Sequence, residues 1–279
     1  MLKKLSPAKV NLYLRVLRKR EDNYHDLATL MQKISLYDEL EFSPSGRDIT
    51  LRCPGTTLPE NEGNIVFRAA KKILSLAGCS SGVNITIHKK IPLAAGLGGG
   101  SSNAAVTLLA LNELFRLNFR AEDLMKIGAT LGADVPFFLF HGPAWAFGIG
   151  DRLEAALDIP SFWFVLVNPG FEVSTKTVYE SLNLGLTKEI IHYSIPRFRA
   201  REDLIAGLYN DLENVTFKMH PSLQLIKDSL ILNGATGALM SGSGPTVFGI
   251  FDTEDKAKDA KNTLDQSKTW AVFLAHSVD

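Results

Sequence analysis

The sequence has little of what marks a membrane, secreted or nucleic-acid-binding chain. It holds two cysteines in 279 residues, Cys53 and Cys79, without a C-x-x-C spacing or a companion pair. Neither a zinc knuckle nor a disulfide framework is expected, and both thiols read as reduced packing residues of a cytoplasmic protein. No apolar run approaches the roughly 20 residues of a membrane span; the greasiest stretch, 135 to 149, is interrupted by Pro136, His141, Gly142 and Pro143. The first residues lack an uninterrupted apolar segment with a cleavage site, so no secretory signal is expected. Net charge is missing too. Thirty Lys+Arg against thirty Asp+Glu argue against a nucleic-acid binder that relies on a broad basic surface. There is no fixed-period repeat and no low-complexity tract.

What is present is an ordinary folding composition, 46% hydrophobic and 22% charged, with a length that suggests about two domains. The charge is uneven: residues 1 to 20 carry Lys3, Lys4, Lys9, Arg15, Arg18, Lys19 and Arg20 and no acid. That segment is either a solvated strand with a basic turn or an anion-facing rim. Strands are predicted at about 10 to 17, 27 to 34, 38 to 43, 48 to 53 and 83 to 89, and a helix at 64 to 77 with Gly78 as its stop. Further helices are expected from Ser101-Ser102 onward and at 121 to 131. The second half opens with the apolar run Phe162-Trp163-Phe164-Val165-Leu166-Val167, read as a buried strand. Helices follow at 174 to 182, 201 to 218 and 221 to 232, then a strand pair over 237 to 251, a helix at 254 to 266 and a strand at 270 to 276. Strands do not alternate regularly with crossover helices, so an α+β architecture of two lobes is expected, 1–155 and 156–279.

The most informative segment is Pro92-Leu93-Ala94-Ala95-Gly96-Leu97-Gly98-Gly99-Gly100-Ser101-Ser102-Asn103. It lies between a strand and a helix. Four glycines in five positions let a backbone approach a ligand with its N–H groups converging, and the helix start adds free donors and the positive dipole end, which favour a phosphate. The serines either cap that helix or reach a phosphate or its metal; a flexible glycine turn with a serine cap is the plainer alternative. A P-loop is excluded because no Lys follows the glycines, and the dinucleotide spacing G-x-G-x-x-G is absent.

Four other segments matter. Pro7-Ala8-Lys9-Val10-Asn11-Leu12 puts Lys9 and Asn11 on one strand face, either a solvated edge or a binding face. Asn23-Tyr24-His25-Asp26-Leu27 places two aromatic rings after a turn in which Asn23 tolerates a left-handed backbone; a half-buried aromatic and a capping imidazole are the alternative. In Leu131-Gly132-Ala133-Asp134-Val135-Pro136, Asp134 reads as a helix N-cap or as a carboxylate able to accept a hydroxyl proton. Ser241-Gly242-Ser243-Gly244-Pro245 is by itself a tight turn.

In order and spelling these five segments resemble the motifs of the GHMP kinases. Gly99-Gly100 ahead of the serine pair and Asn23 in place of the usual glycine are departures from the pattern. The resemblance covers essentially the whole chain, most weakly at 180 to 235. It implies a ribosomal-S5-like N-terminal lobe with a left-handed βαβ element and a ferredoxin-like C-terminal lobe, with ATP and Mg²⁺ as cofactors. It implies further that Asp134 orients or deprotonates the acceptor hydroxyl with Lys9 assisting, and that ATP is held by Asn64, Lys89, Pro92, Gly96, Leu97, Gly98, Gly99, Gly100, Ser101, Ser102, Asn103, Gly242 and Ser243, the metal ligand being either Ser101 or Ser102. The acceptor would be met by Asn11, Tyr24, His25 and Tyr179. The Gly-Leu-Gly-Gly-Gly-Ser-Ser-Asn variant with Tyr24-His25 is similar to that of members acting on a cytidine-diphosphate-linked polyol. Such an enzyme would be a cytoplasmic monomer or weak homodimer with no nucleic-acid or membrane partner. Another small-molecule kinase of the family, of homoserine or mevalonate type, and an RNA-binding S5-like module are the competing readings.

Overall fold

The structure, a computed structural model, describes residues 1–157, 159–182, 193–198, 200–266 and 268–279. The chain forms two compact units that interleave along the sequence: Met1–Ala8, Tyr37–Ile91 and Gly98–His141 in the first, Lys9–Leu36, Pro92–Leu97 and Gly142–Asp279 in the second. Two long strands, β1 (Leu2–Lys19) and β2 (His25–Ser45), contribute residues to both. The sequence reading splits β2 in two at 35–37. No Gly or Pro interrupts Ile34-Ser35-Leu36-Tyr37, and the strand continues.

In the first unit, β3 (Ile49–Arg52), α1 (Ile65–Leu76) and β4 (Gly82–His88) form a parallel strand pair joined through a helix, with Ile49 opposite Val83. The end of β2 runs antiparallel to β4, Glu39 opposite His88. α1 begins at an Asn64 cap and ends before Gly78, whose φ of +59° is the left-handed stop that glycine permits. α2 (Gly99–Leu114) is buried from Ser102 to Leu108 without a polar stripe, as a helix packed on several sides must be. It packs against α1 and, with α3 (Ala121–Ala129), against the short α4 (Val135–Leu139).

The second unit holds β5 (Ala144–Gly148), antiparallel to β2 and to β6 (Arg152–Ala155). Beyond them come β7 (Trp163–Asn168), α5 (Thr175–Glu180), α6 (Arg201–Ala206), β8 (Tyr209–Asn210), α7 (Glu213–Met219), α8 (Ser222–Leu232), β9 (Gly237–Met240), β10 (Val247–Phe251), α9 (Glu254–Asp265) and β11 (Ala271–Val278). The antiparallel order β11-β7-β10-β9 places the fourth strand of this lobe beside the first, then the third, then the second. With helices between the first and second and between the third and fourth, this is the ferredoxin-like arrangement. Phe164, Val165, Leu166 and Val167 of β7 are all fully buried, which is why that strand reads as an unbroken apolar run. The helix expected over 201 to 218 is broken: α6 stops at Gly207, and Tyr209 and Asn210 pair in parallel with Tyr13 and Leu14 of β1.

The basic segment 1 to 20 is a strand whose cations are largely matched by acids. Lys3 pairs with Glu39 and Glu41, Lys4 with Glu113, Arg18 with Asp26, and Arg20 with Asp22 and Asp26. No helix among the described residues is long and apolar enough to cross a membrane.

Candidate active site

Lys9 is not a solvated edge residue. It is 4% exposed, and its Nζ donates to Asn11 Oδ1 at 2.5 Å and to the Gly96 carbonyl at 3.0 Å. The strand's two-residue period brings Lys9 and Asn11 together; the approach of Gly96 is tertiary. The backbone N–H of Lys9 donates to the Leu97 carbonyl at 2.9 Å. Ser241 Oγ donates to the Gly96 carbonyl at 2.9 Å and accepts from the Asn11 N–H at 3.4 Å, while Asn11 Nδ2 donates to Thr29 Oγ1 at 2.8 Å. Gly96 has φ +75°, and a Cβ there would lie 2.0 Å from the Ser241 carbonyl oxygen, so only glycine fits. Three segments far apart in sequence therefore meet at Gly96 within the second unit. Gly242 belongs to the meeting point, 3.4 Å from Asn11 Oδ1 by the same construction. Ser243 is turned elsewhere and shares a hydrogen bond with Thr175 Oγ1 at 2.8 Å.

His25 and Tyr179 also come together, their rings stacked with centroids 5.0 Å apart and an interplanar angle of 29°. Burial holds the His25 imidazole below its ordinary pKa, and the nearby Lys19 charge acts in the same direction. Tyr24 stands apart. Its side chain is largely exposed, next to Asn23, which takes the left-handed φ of +66°.

In the first unit, α2 begins at Gly99, two residues before the serine pair. Its N-cap is Gly98 at φ +69°, with no side chain to accept from the first-turn amides. Neither serine caps the helix. Ser101 is partly exposed; Ser102 is fully buried, its Oγ accepting from Ser6 Oγ at 2.7 Å. Gly100 lies open to solvent. The turn carrying Asp134 packs close by, since a Cβ on Gly132 would be 3.9 Å from Ser101 Oγ and 3.7 Å from Ile65 Cδ1. Asp134 occupies the N-cap position of α4, and its side chain does not make the capping hydrogen bond.

Asn64 is the N-cap of α1. Its Oδ1 accepts from the Val66 N–H at 2.9 Å and its Nδ2 donates to the Pro59 carbonyl at 3.0 Å. Asn103 is buried and the Lys89 side chain is largely shielded; the two are joined at 3.2 Å and both bond to Asp38. Sequence reasoning missed Asp38, Ser6, Thr29 and Ser241 as parts of these networks. For Asp38 a signal existed: it shares the inward phase of Leu36, Leu40 and Phe42. Among the described residues no group of three or more His, Cys, Asp or Glu side chains is arranged to hold a metal.

Comparison with known proteins gives a consistent picture. The family described as GHMP kinases N terminal domain matches residues 64–142, and that described as GHMP kinases C terminal matches residues 190–268. A 4-diphosphocytidyl-2-C-methyl-D-erythritol kinase of Syntrophus aciditrophicus (strain SB) is 78% identical over 279 residues, covering 100% of both chains. One from Syntrophotalea carbinolica (strain DSM 2380 / NBRC 103641 / GraBd1) is 49% identical over 277 residues, covering 99% of this chain and 98% of that one. A crystal structure of 4-(cytidine 5'-diphospho)-2C-methyl-D-erythritol kinase is similar with a TM-score of 0.83 at 36% identity, covering 100% of each chain.

Proposed function

The chain belongs to the GHMP kinase family, and we propose that it transfers the γ-phosphoryl group of ATP to the 2-hydroxyl of 4-diphosphocytidyl-2-C-methyl-D-erythritol, a step of the non-mevalonate route to isoprenoid precursors. The observation that carries this reading is the meeting of Lys9, Gly96 and Ser241, one from each of three kinase-like segments, in a single hydrogen-bonded cluster.

Phosphoryl transfer asks a protein mainly to position the reactants and to neutralise charge spread over the transferring group. On this reading the amides of residues 96–101 cradle the triphosphate, with Pro92, Gly242 and Ser243 shaping the surrounding backbone and Asn64 on the adenosine side. Ser102 and Asn103 contribute from buried positions and Lys89 from a partly buried one. Asp134 accepts the proton of the acceptor hydroxyl as it attacks, and the Lys9 ammonium assists by stabilising negative charge. Asn11 orients the acceptor; Tyr24, His25 and Tyr179 receive the cytosine by stacking and hydrogen bonding.

Mg²⁺ fits the residues present in the way such ions usually bind, through substrate phosphates and few protein ligands. Ser101 is the hydroxyl suited to it, because Ser102 is committed to Ser6. When bound, the ion neutralises charge on the β- and γ-phosphates. The same reading gives an ATP- and substrate-binding lobe over 1–155 and a C-terminal lobe over 156–279, supported by the gap between the two family matches. It describes a cytoplasmic monomer or weak homodimer, and the balanced charge supports the expectation of no nucleic-acid or membrane partner. A coupled ADP-release assay tests the substrate: turnover is expected with the cytidine-diphosphate-linked polyol, and faster release with homoserine or mevalonate overturns the assignment.

A further inference from the structure

Asp38 is fully buried on β2, and the mechanism above makes no use of it. A carboxylate removed from water is costly unless donors meet both oxygens. Four do so here. Oδ1 accepts from the backbone N–H groups of Lys90 at 2.8 Å and Ile91 at 2.9 Å. Oδ2 accepts from Asn103 Nδ2 at 2.9 Å and is ion-paired with Lys89 Nζ. The network continues from Asn103 Nδ2 to Ser6 Oγ at 2.9 Å and from Ser6 Oγ to Ser102 Oγ at 2.7 Å.

These donors come from the two sides of the glycine loop. Residues 89–91 precede it, and Asn103 follows it near the start of α2. The β2–β4 register sets up the contact, because Glu39 opposite His88 leaves Asp38 beside Lys89. Gly99 adds to it. A Cβ there would lie 3.2 Å from Lys89 Nζ and 3.0 Å from Ile91 Cγ2, so the first residue of α2 sits directly on the segment that Asp38 holds. A side chain at 99, one of the two glycines that depart from the family pattern, would press on Lys89 and Ile91.

We propose that Asp38 is a positioning residue for phosphoryl transfer: its carboxylate locks the two ends of the glycine loop together and holds the α2 amides at the spacing a triphosphate needs. This rests on the reading of that loop as the ATP phosphate site. Asp38 acts through the loop and touches no reactant.

Asp38→Asn tests it. The new side chain keeps one oxygen for the Lys90 and Ile91 amides but turns an NH₂ group toward the Lys89 ammonium and the Asn103 amide. The expected result is a rise of about 10- to 100-fold in the KM for ATP, the scale of one charged hydrogen bond, with kcat and the KM for the polyol little changed. A merely structural role would lower the melting temperature and leave the ATP KM of the folded enzyme unchanged; that outcome overturns the proposal. If Asp38→Asn does not fold, Ser6→Ala decides: a several-fold rise in the ATP KM supports the proposal and no change overturns it. Calorimetric titration of a non-hydrolysable ATP analogue into the wild type and Gly98→Val separates the two levels. Binding lost only in Gly98→Val leaves the loop reading standing, so a normal Asp38→Asn then refutes Asp38 alone. Equal binding in both removes the loop reading and the proposal with it.

Discussion

Replacing Gly96 by alanine adds one methyl group where three segments of the second unit meet. The new Cβ lies 2.0 Å from the Ser241 carbonyl oxygen and 3.2 Å from the Gly244 nitrogen, so the turn after β9 has to move away. The backbone at φ +75° adds about 1–2 kcal/mol of strain for any L residue. Moving the turn breaks the 2.9 Å bond from Ser241 Oγ to the Gly96 carbonyl, and tilting that carbonyl weakens its 3.0 Å bond from Lys9 Nζ. A neutral hydrogen bond is worth about 1 kcal/mol and one from a charged donor about 1.5–3, which puts the whole cost at roughly 4–6 kcal/mol. Urea denaturation reads that loss. In the fraction that folds, displacement of Lys9 by about 1 Å should lower kcat/KM about 100-fold. A Gly96→Ala enzyme with the wild-type urea midpoint and wild-type kcat/KM would refute the convergence at Gly96 and the role built on it.

The acceptor side gives the next expectations. Tyr24→Ala should weaken polyol binding by roughly 1–3 kcal/mol, the scale of a base on an aromatic ring, while Tyr24→Phe loses far less; a fall in ATP binding instead would put the base pocket on the wrong nucleotide. His25 has its pKa lowered by burial, so its neutral form is favoured by folding, and its contribution to stability is complete above the unfolded value of about 6.5 and is lost as pH falls through the folded one. Urea midpoints and the polyol KM, measured from pH 7.5 down to 5, should therefore worsen together in the wild type, with that part of the pH dependence missing in His25→Gln; an unchanged slope in the variant would count against it. Asn64→Ala removes both the α1 cap and the bond to the Pro59 carbonyl and should cost roughly 0.5–2 kcal/mol or somewhat more by denaturation. An Asn64→Ala protein with the wild-type urea midpoint would show that the cap contributes nothing.

Much of the fold was legible because local pattern and tertiary environment agreed. The run from Phe162 to Val167 reads as a strand buried on both faces, and the Asn64 to Gly78 segment carries both of its helix signals. Where long-range pairing decides, the sequence is silent. Arg201 to Lys218 has helical character, yet Tyr209 and Asn210 join β1 as a short strand. β5 hides in a stretch that reads only as greasy, because it owes its identity to pairing with residues 27 to 31 of β2, and β6 beyond it carries no strand signal of its own. In the candidate site the Lys9–Asn11 pair follows from strand period alone. The closure of Ser241 on Gly96 spans 145 residues, and no local pattern encodes it. Asp38 was missed because an acid flanked by Tyr37 and Glu39 looks like a solvent-facing position until the phase of Leu36 and Leu40 is counted.

Asp134 offers the most direct measurement. Asn has nearly the size and shape of Asp and is as good at a helix start, so Asp134→Asn should leave stability within about 1 kcal/mol of the wild type. Single-turnover transfer from ATP to 4-diphosphocytidyl-2-C-methyl-D-erythritol, followed by ³¹P NMR of the product, should show the 2-phosphate in the wild type. In Asp134→Asn the rate should fall by about 10²- to 10⁴-fold, the usual contribution of a positioned general base, while calorimetry finds ATP-analogue binding unchanged. Transfer at a near-wild-type rate by Asp134→Asn, or no 2-phosphate formed by the wild type, would contradict the assignment.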